Sequence, residues 1–306
     1  MSRRRPIALL AALGCVALTL TACTSIPLKK PGTLSVVVGF YPIEFAAAQV
    51  GGTHVTITDL TKPGVEPHDI ELTPLQVALI ANADVVAYIP GLAPAVDEAV
   101  AQNNPKAALD VTQGITRLSA AADGAQSCPA GQSCPFVADP HVWLNPLNEA
   151  QIANNIATRL ATLLPNDRST FTAAYTALRT TLQRVDTAYT SGLKVCKTRT
   201  LVASHAAFGY LARAYDLHQV GISGLNPDAE PSPERLAAVA AIAKVSKVTT
   251  VYYERLVSPA VANTLASTLG LATAVLDPLE GAPPHGDYTT QMLANLTTLR
   301  TGQGCT

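Results

Sequence analysis

The chain carries little charge and few aromatic rings. Of its 306 residues, 14% are Asp, Glu, Lys or Arg, 5% are aromatic and one is tryptophan. Lys+Arg number 21 against 22 Asp+Glu, for a formal net charge of −1, so the basic excess that a nucleic-acid partner requires is missing. Several enzyme signatures are absent as well. There is no H-E-x-x-H, no G-x-S-x-G and no G-x-x-x-x-G-K-[ST], which removes a metalloprotease helix, a nucleophile elbow and a phosphate loop. Long apolar runs are also lacking outside the first residues. There, Arg3, Arg4 and Arg5 precede an apolar stretch from Pro6 to Ala22, too short and too abruptly ended to span a bilayer.

Residues 1–22 therefore read as a secretory signal, and they are set apart from the fold. The signal ends in Leu20-Thr21-Ala22-Cys23, which resembles a bacterial lipobox; the resemblance implies lipidation of Cys23 and a short tether over 23–32. Without the leader arginines the balance becomes modestly acidic. The whole 306-residue chain is 48% hydrophobic, with a mean hydropathy of +0.23, enough apolar material for one large domain or two ordinary lobes.

Cysteine is scarce but placed for oxidation. Setting aside Cys15 and Cys23 leaves Cys128, Cys134, Cys196 and Cys305, and four cysteines allow three pairings. An exported chain sits where disulfides persist. The short gap between Cys128 and Cys134 suggests a clipped loop, with Cys196 and Cys305 tying the C-terminus back onto the second half. The C-x5-C spacing lacks the paired short spacings of a structural zinc site.

Periodicity divides the chain into two α/β halves. Strand-like runs at Leu34 to Gly39, His54 to Thr58, Asp84 to Ile89 and Ala107 to Val111 alternate with helical stretches such as Pro74 to Asn82. A second set follows at Thr200 to Ala203, Gln219 to Ile222, Val248 to Tyr253 and Ala272 to Leu276, with helices over Pro233 to Lys244 and Pro259 to Leu269. Such alternation predicts parallel sheets. Between the halves, Phe171, Tyr175, Leu178, Leu182, Val185, Tyr189 and Leu193 recur every three or four residues, one apolar stripe on a long helix. About 25 residues at about 1.5 Å each make a rod of roughly 38 Å, a stiff spine between lobes. The predicted layout is an N-terminal lobe over 33–166, a linking helix over 167–193 and a C-terminal lobe over 194–306.

In open parallel α/β sheets, ligands bind beyond the carboxyl ends of the strands. His68 follows the second strand, His141 lies beyond the fourth, His205 follows the first strand of the second half, and Asp277 follows the last. Two groups come from each half, so they can converge in a cleft between lobes. Three imidazoles and a carboxylate form the four-ligand set of a tetrahedral zinc site. His54 and His218 sit at strand starts and His285 in a Pro- and Gly-rich loop, positions that suit solvent-facing side chains. Glu254, at a strand end near the cleft, and Glu66 and Asp69, beside His68, are candidates to orient the imidazoles.

Five ordered segments then become recognisable: G-F-Y-P (39–42), P-G-V-E-P-H-D (63–69), D-P-H-V-W-L-N-P (139–146), S-H-A-A-F-G-Y (204–210) and L-D-P-L-E-G (276–281). Together they resemble the zinc-type metal-binding lipoproteins that serve bacterial ABC transporters. The resemblance implies two α/β lobes joined by a long backbone helix with a divalent cation between them. It also implies His68, His141, His205 and Asp277 as ligands, a lipid anchor on the outer face of the cytoplasmic membrane, a monomer, and a permease with a separate ATPase as partners. Asn145 stands where the family usually shows aspartate, so a supporting charge beside the site is in question. The region corresponding to the family's histidine-rich loop, near 123–137, holds Cys128 and Cys134 and no histidine. His205, where manganese-type members carry glutamate, favours Zn²⁺. Imidazole suits zinc while manganese prefers oxygen ligands, yet Mn²⁺ or Fe²⁺ as cargo is compatible with the spacing. A secreted zinc-dependent hydrolase is the rival from another class, and it needs an open coordination position. An adhesive surface lipoprotein accounts for the anchor but not for the four ligands.

Overall fold

The computed structural model describes residues 32–120 and 137–306. Cys23, Cys128 and Cys134, with the leader, lie outside them.

Two four-stranded parallel sheets organise the chain. The first half runs β1 (Leu34–Val38), α1 (Tyr41–Gly51), β2 (Val55–Asp59), α2 (Pro74–Ala81), β3 (Val85–Tyr88), α3 (Pro94–Asn103) and β4 (Ala108–Asp110). Next come α4 (Pro146–Leu163) and α5 (Arg168–Gly192). The second half runs β5 (Thr200–Ala203), α6 (Gly209–Ala214), β6 (His218–Gly221), α7 (Pro233–Val245), β7 (Thr250–Tyr253), α8 (Ala260–Leu269), β8 (Ala272–Val275) and α9 (Tyr288–Gln303). Strand orders are β2-β1-β3-β4 and β6-β5-β7-β8, so the two sheets share one winding. Every strand pairing within them is parallel, which directs all strand ends in a lobe to one edge. The fold is α/β, as the alternation predicts.

Local chemistry explains where the helices begin. Thr73 caps α2 in a reciprocal box with Gln76, and Pro74 occupies the first helical position, where its missing N–H costs nothing. Ser232 and Pro233 repeat the device at α7, the Ser232 hydroxyl accepting from the Arg235 N–H. His54 departs from expectation: it closes a short 3₁₀ turn, Gly52–His54, ahead of β2, and its ring meets Phe171 edge-on. His218 opens β6 and is exposed, and His285 lies exposed in its loop.

The stripe on α5 buries Phe171, Leu178, Leu182, Val185 and Tyr189. Its partners, which periodicity does not single out, are α1, α4 and α9. One apolar cluster runs without a break from Val36 and Trp143 in the first half, through these α5 residues, to Leu201, Tyr252 and Leu276 in the second. A close-packed interior resists shear, so the lobes share a core and are not linked by a loose hinge. Among the described residues no helix is long and apolar enough to cross a membrane. Cys196 and Cys305 form a disulfide. Gly304, with φ 62°, ends α9 in the left-handed region, which glycine adopts without strain, and turns Cys305 toward its partner.

Candidate metal centre

Four side chains meet at the strand-end edge between the lobes: His68, His141, His205 and Glu280, all buried, each offering one donor atom within 4.8 Å of the others. His68 Nε2 lies 3.1 Å from His141 Nε2, and His141 Nε2 lies 3.4 Å from His205 Nε2. Glu280 Oε1 is 3.6 Å from His68 Nε2, 3.4 Å from His141 Nε2 and 3.5 Å from His205 Nε2. A tetrahedron with donors about 2.0–2.1 Å from its centre has edges of about 3.3 Å. Five of the six edges here match that figure to within about 0.3 Å.

Each histidine is aimed by its surroundings. His141 is held by the run from Asp139 to Pro146. Asp139 Oδ1 accepts from the His141 backbone N–H at 2.9 Å and from Nδ1 at 2.7 Å. The Tyr210 hydroxyl donates to the Asp139 carbonyl at 3.0 Å. The Trp143 indole N–H reaches the Pro278 carbonyl at 2.7 Å, and its ring packs edge-on against Phe40. Tyr288 in turn donates to the Trp143 carbonyl at 2.5 Å. His205, just past β5, donates from Nδ1 to Glu254 Oε1 at 2.6 Å, and the Ser204 hydroxyl donates to the same oxygen at 2.5 Å. A carboxylate on Nδ1 fixes the proton there and leaves the Nε2 lone pair facing inward. His68 is fixed through its backbone, whose N–H reaches Glu66 Oε1 at 3.2 Å. Its loop is also tied across the cleft, because Asn226 Nδ2 donates to Asp69 Oδ1 at 3.1 Å.

Asp277, expected as the fourth donor, does not join the histidines. Its Oδ2 accepts from Arg255 Nε at 2.6 Å and its Oδ1 from the Leu279 N–H at 2.8 Å, so both oxygens are engaged in bracing the loop. Asn295 completes the brace, accepting from the Asp277 N–H and donating to its carbonyl. Leu279 then adopts φ 61°, a left-handed conformation that is costly for a branched side chain. Beyond that reversal Glu280, not Asp277, faces the imidazoles. Neither Glu280 oxygen has a hydrogen-bond partner among the described residues, although the side chain is buried. A carboxylate in that position calls for a cation.

Glu254, a candidate supporting carboxylate, accepts from His205 Nδ1 at 2.6 Å. Glu66 touches the His68 backbone and not its ring; burial and the nearby Glu280 push its carboxyl up to about 9. Asn145 caps α4, accepting from the Leu147 N–H at 2.9 Å, and serves the helix instead of the site. Sequence reasoning missed Asp139 and Glu280. An acid two residues before His141 is a readable signal for an imidazole partner, whereas nothing in L-D-P-L-E-G tells which acid turns inward.

The electrostatics reflect the same pairings. Burial pushes His205 down, but Glu254 and Glu280 outweigh it and hold the imidazole well above its ordinary value. Burial also opposes the charged form of His141, yet Asp139 and Glu280 bring the net shift upward. His68, with weaker help, is lowered by burial. Burial would raise Glu280, but the three histidines hold it well below the usual carboxylate range.

A family model described as ZnuA, zinc-uptake complex component A, periplasmic, matches residues 36–302. The chain belongs to the ZnuA family. The zinc-binding lipoprotein AdcA of Streptococcus pneumoniae is 35% identical over 285 residues, covering 90% of this chain and 56% of that protein; the chain thus spans little more than half the length of this relative. The high-affinity zinc uptake system protein ZnuA of Bacillus subtilis is 32% identical over 258 residues, covering 83% of this chain and 81% of that protein. Among solved structures, the Zn(II)-bound ZnuA-like domain of S. pneumoniae AdcA superposes with a TM-score of 0.72 at 35% identity, covering 89% of this chain and 99% of the domain.

Proposed function

We propose that this ZnuA-family chain captures Zn²⁺ outside the cytoplasm and delivers it to an ABC permease powered by a separate ATPase. The observation that carries the reading is the near-tetrahedral set His68, His141, His205 and Glu280. Three imidazoles favour zinc over manganese or Fe²⁺, which are better served by more oxygen donors. Four protein donors fill the coordination sphere, leaving no position for the water that a zinc hydrolase activates; the chain binds and releases and does not catalyse. Lipidation at Cys23 would hold it as a monomer at the membrane surface beside the permease. The shared core across α5 restricts loading to modest loop and lobe shifts.

The test is elemental analysis of the purified chain from Thr24 onward after dialysis against mixed Zn²⁺, Mn²⁺ and Fe²⁺. One zinc per chain is expected. Manganese or iron in its place changes the cargo, and an empty protein overturns the reading.

Proton release is a second expected result. With Nδ1 protons held by Asp139 and Glu254, a further proton enters at Nε2, the atom zinc needs. His141 and His205 have raised pKa values, so the metal-free site holds protons at pH values above the ordinary imidazole range. Zinc must displace them, and affinity therefore falls as pH drops through and below that range. Calorimetry at pH 7 in buffers of different ionisation enthalpy should show release of about one proton or more per zinc. Heats that do not vary with buffer would contradict the charge state derived for the site.

A further inference from the structure

Glu280 belongs to two places at once. On one side its Oε1 faces the three imidazoles. It is also a wall of a cavity of about 220 Å³ that reaches the surface between the lobes, where Tyr41, Glu44, Asp59 and Lys62 line it. Tyr41 and Glu44 come from the first turn of α1, Asp59 closes β2, and Glu280 arrives from the loop after β8. The Thr61 hydroxyl donates to the Gly39 carbonyl at 2.7 Å and the Thr61 N–H to Asp59 Oδ1 at 2.8 Å, which fixes the β2 end against the start of α1.

The cavity has a definite electrical character. Three carboxylates, Glu44, Asp59 and Glu280, face one exposed ammonium, Lys62. Burial, with a contribution from Glu44, pushes Asp59 up to about 7, and burial raises Glu44. A dication relieves both the crowding of like charge and the lost hydration. The innermost carboxylate is 1% exposed and, among the described residues, has no hydrogen-bond partner on either oxygen. Oxygen donors are the natural first replacement for the water shell of a hydrated cation, and the imidazoles lie directly behind.

We propose that this cavity is the access vestibule for the metal, a transient oxygen-donor site in which Glu44 and Asp59 draw in hydrated Zn²⁺ and pass it to Glu280. The proposal rests on the reading of the four-donor cluster as the zinc site. Its role is kinetic. A cleft lined by one sign of charge focuses the field and raises association rates by about 10- to 1,000-fold, an advantage lost as salt rises. Lys62 at the rim opposes the field.

The experiment is stopped-flow association of Zn²⁺ with the whole mature chain. Trp143, the chain's one tryptophan, has its ring 5.3 Å from that of His141 and serves as the probe. The double variant Glu44→Gln, Asp59→Asn keeps size and the amide oxygen that Thr61 needs. It should associate about tenfold more slowly at low salt, with a flatter salt dependence and still one zinc per chain at equilibrium. Lys62→Gln, an exposed change, should speed association. Wild-type association rates in both variants, with one zinc bound in each, overturn the vestibule and leave the zinc site standing. Absence of zinc binding by the wild type removes both.

Discussion

His141→Ala is expected to lower zinc affinity by about a thousandfold or more, about 4 kcal/mol, and to erase the thermal stabilisation that zinc confers. His141 is the hub of the cluster: its Nε2 lies 3.1 Å from His68 Nε2 and 3.4 Å from both His205 Nε2 and Glu280 Oε1. Loss of an orienting partner alone typically costs a zinc site ten- to a hundredfold, and loss of a donor atom costs more. The substitution also leaves Asp139, 1% exposed, without its imidazole, which should destabilise the metal-free protein by about 1–3 kcal/mol. Wild type in zinc at a hundred times its dissociation constant gains about 2.7 kcal/mol; the variant should gain nothing measurable. Thermal melts with and without zinc, paired with competition against a chelator, check both parts. His218→Ala, on an exposed strand end, supplies the control. Equal responses from the two variants would remove His141 from the site. The same assay separates Glu280 from Asp277: Glu280→Gln should weaken binding more than Asp277→Asn, because Asp277 acts through the loop it braces with Arg255.

Replacing Cys196 and Cys305 together by serine is expected to cost about 2–4 kcal/mol of stability while leaving zinc stoichiometry intact. The two cysteines are 109 residues apart, so the bond closes a loop around the whole second sheet, from just before β5 to just after α9. A cross-link of that span removes much of the freedom of the unfolded chain, and the measured gain depends on how much structure the unfolded state retains. The serine variant should still fold. Lys197 N–H donates to the Gln303 carbonyl at 3.0 Å and Thr306 N–H to the Val195 carbonyl at 3.0 Å, so hydrogen bonds continue to hold the two ends together. Zinc binding should persist because the bond lies at the start of β5, whereas His205 lies past its end, at the opposite edge of the sheet. Urea unfolding of the variant, and of the wild type with reductant, measures the loss. An unchanged midpoint would mean that the bond does not form or does not constrain the unfolded chain.

Much of the architecture follows from local pattern. Short apolar or β-branched runs bounded by turn-forming neighbours place all eight strands to within two residues, even where, as in β8, the strand is largely exposed. The α5 stripe is equally plain, because seven apolar residues at helical spacing leave one face to bury. Its partners are not plain in that way. Helix α4 matters for how it packs against α5, and packing between elements distant in sequence leaves little local trace.

At the metal centre the division is sharper. By itself the sequence determined the α/β class, the parallel winding, three histidines at strand ends and an acidic loop after the last strand, because strand periodicity and loop position are local properties of the chain. Only the tertiary structure decided which acid faces the imidazoles. Asp277 and Glu280 are three residues apart in one loop, and the choice between them depends on Arg255 and Asn295 engaging the first and on the reversal at Leu279 turning the second inward. Side-chain direction in an irregular loop is set by the partners that surround it, and those partners come together only when the two lobes fold around a common core.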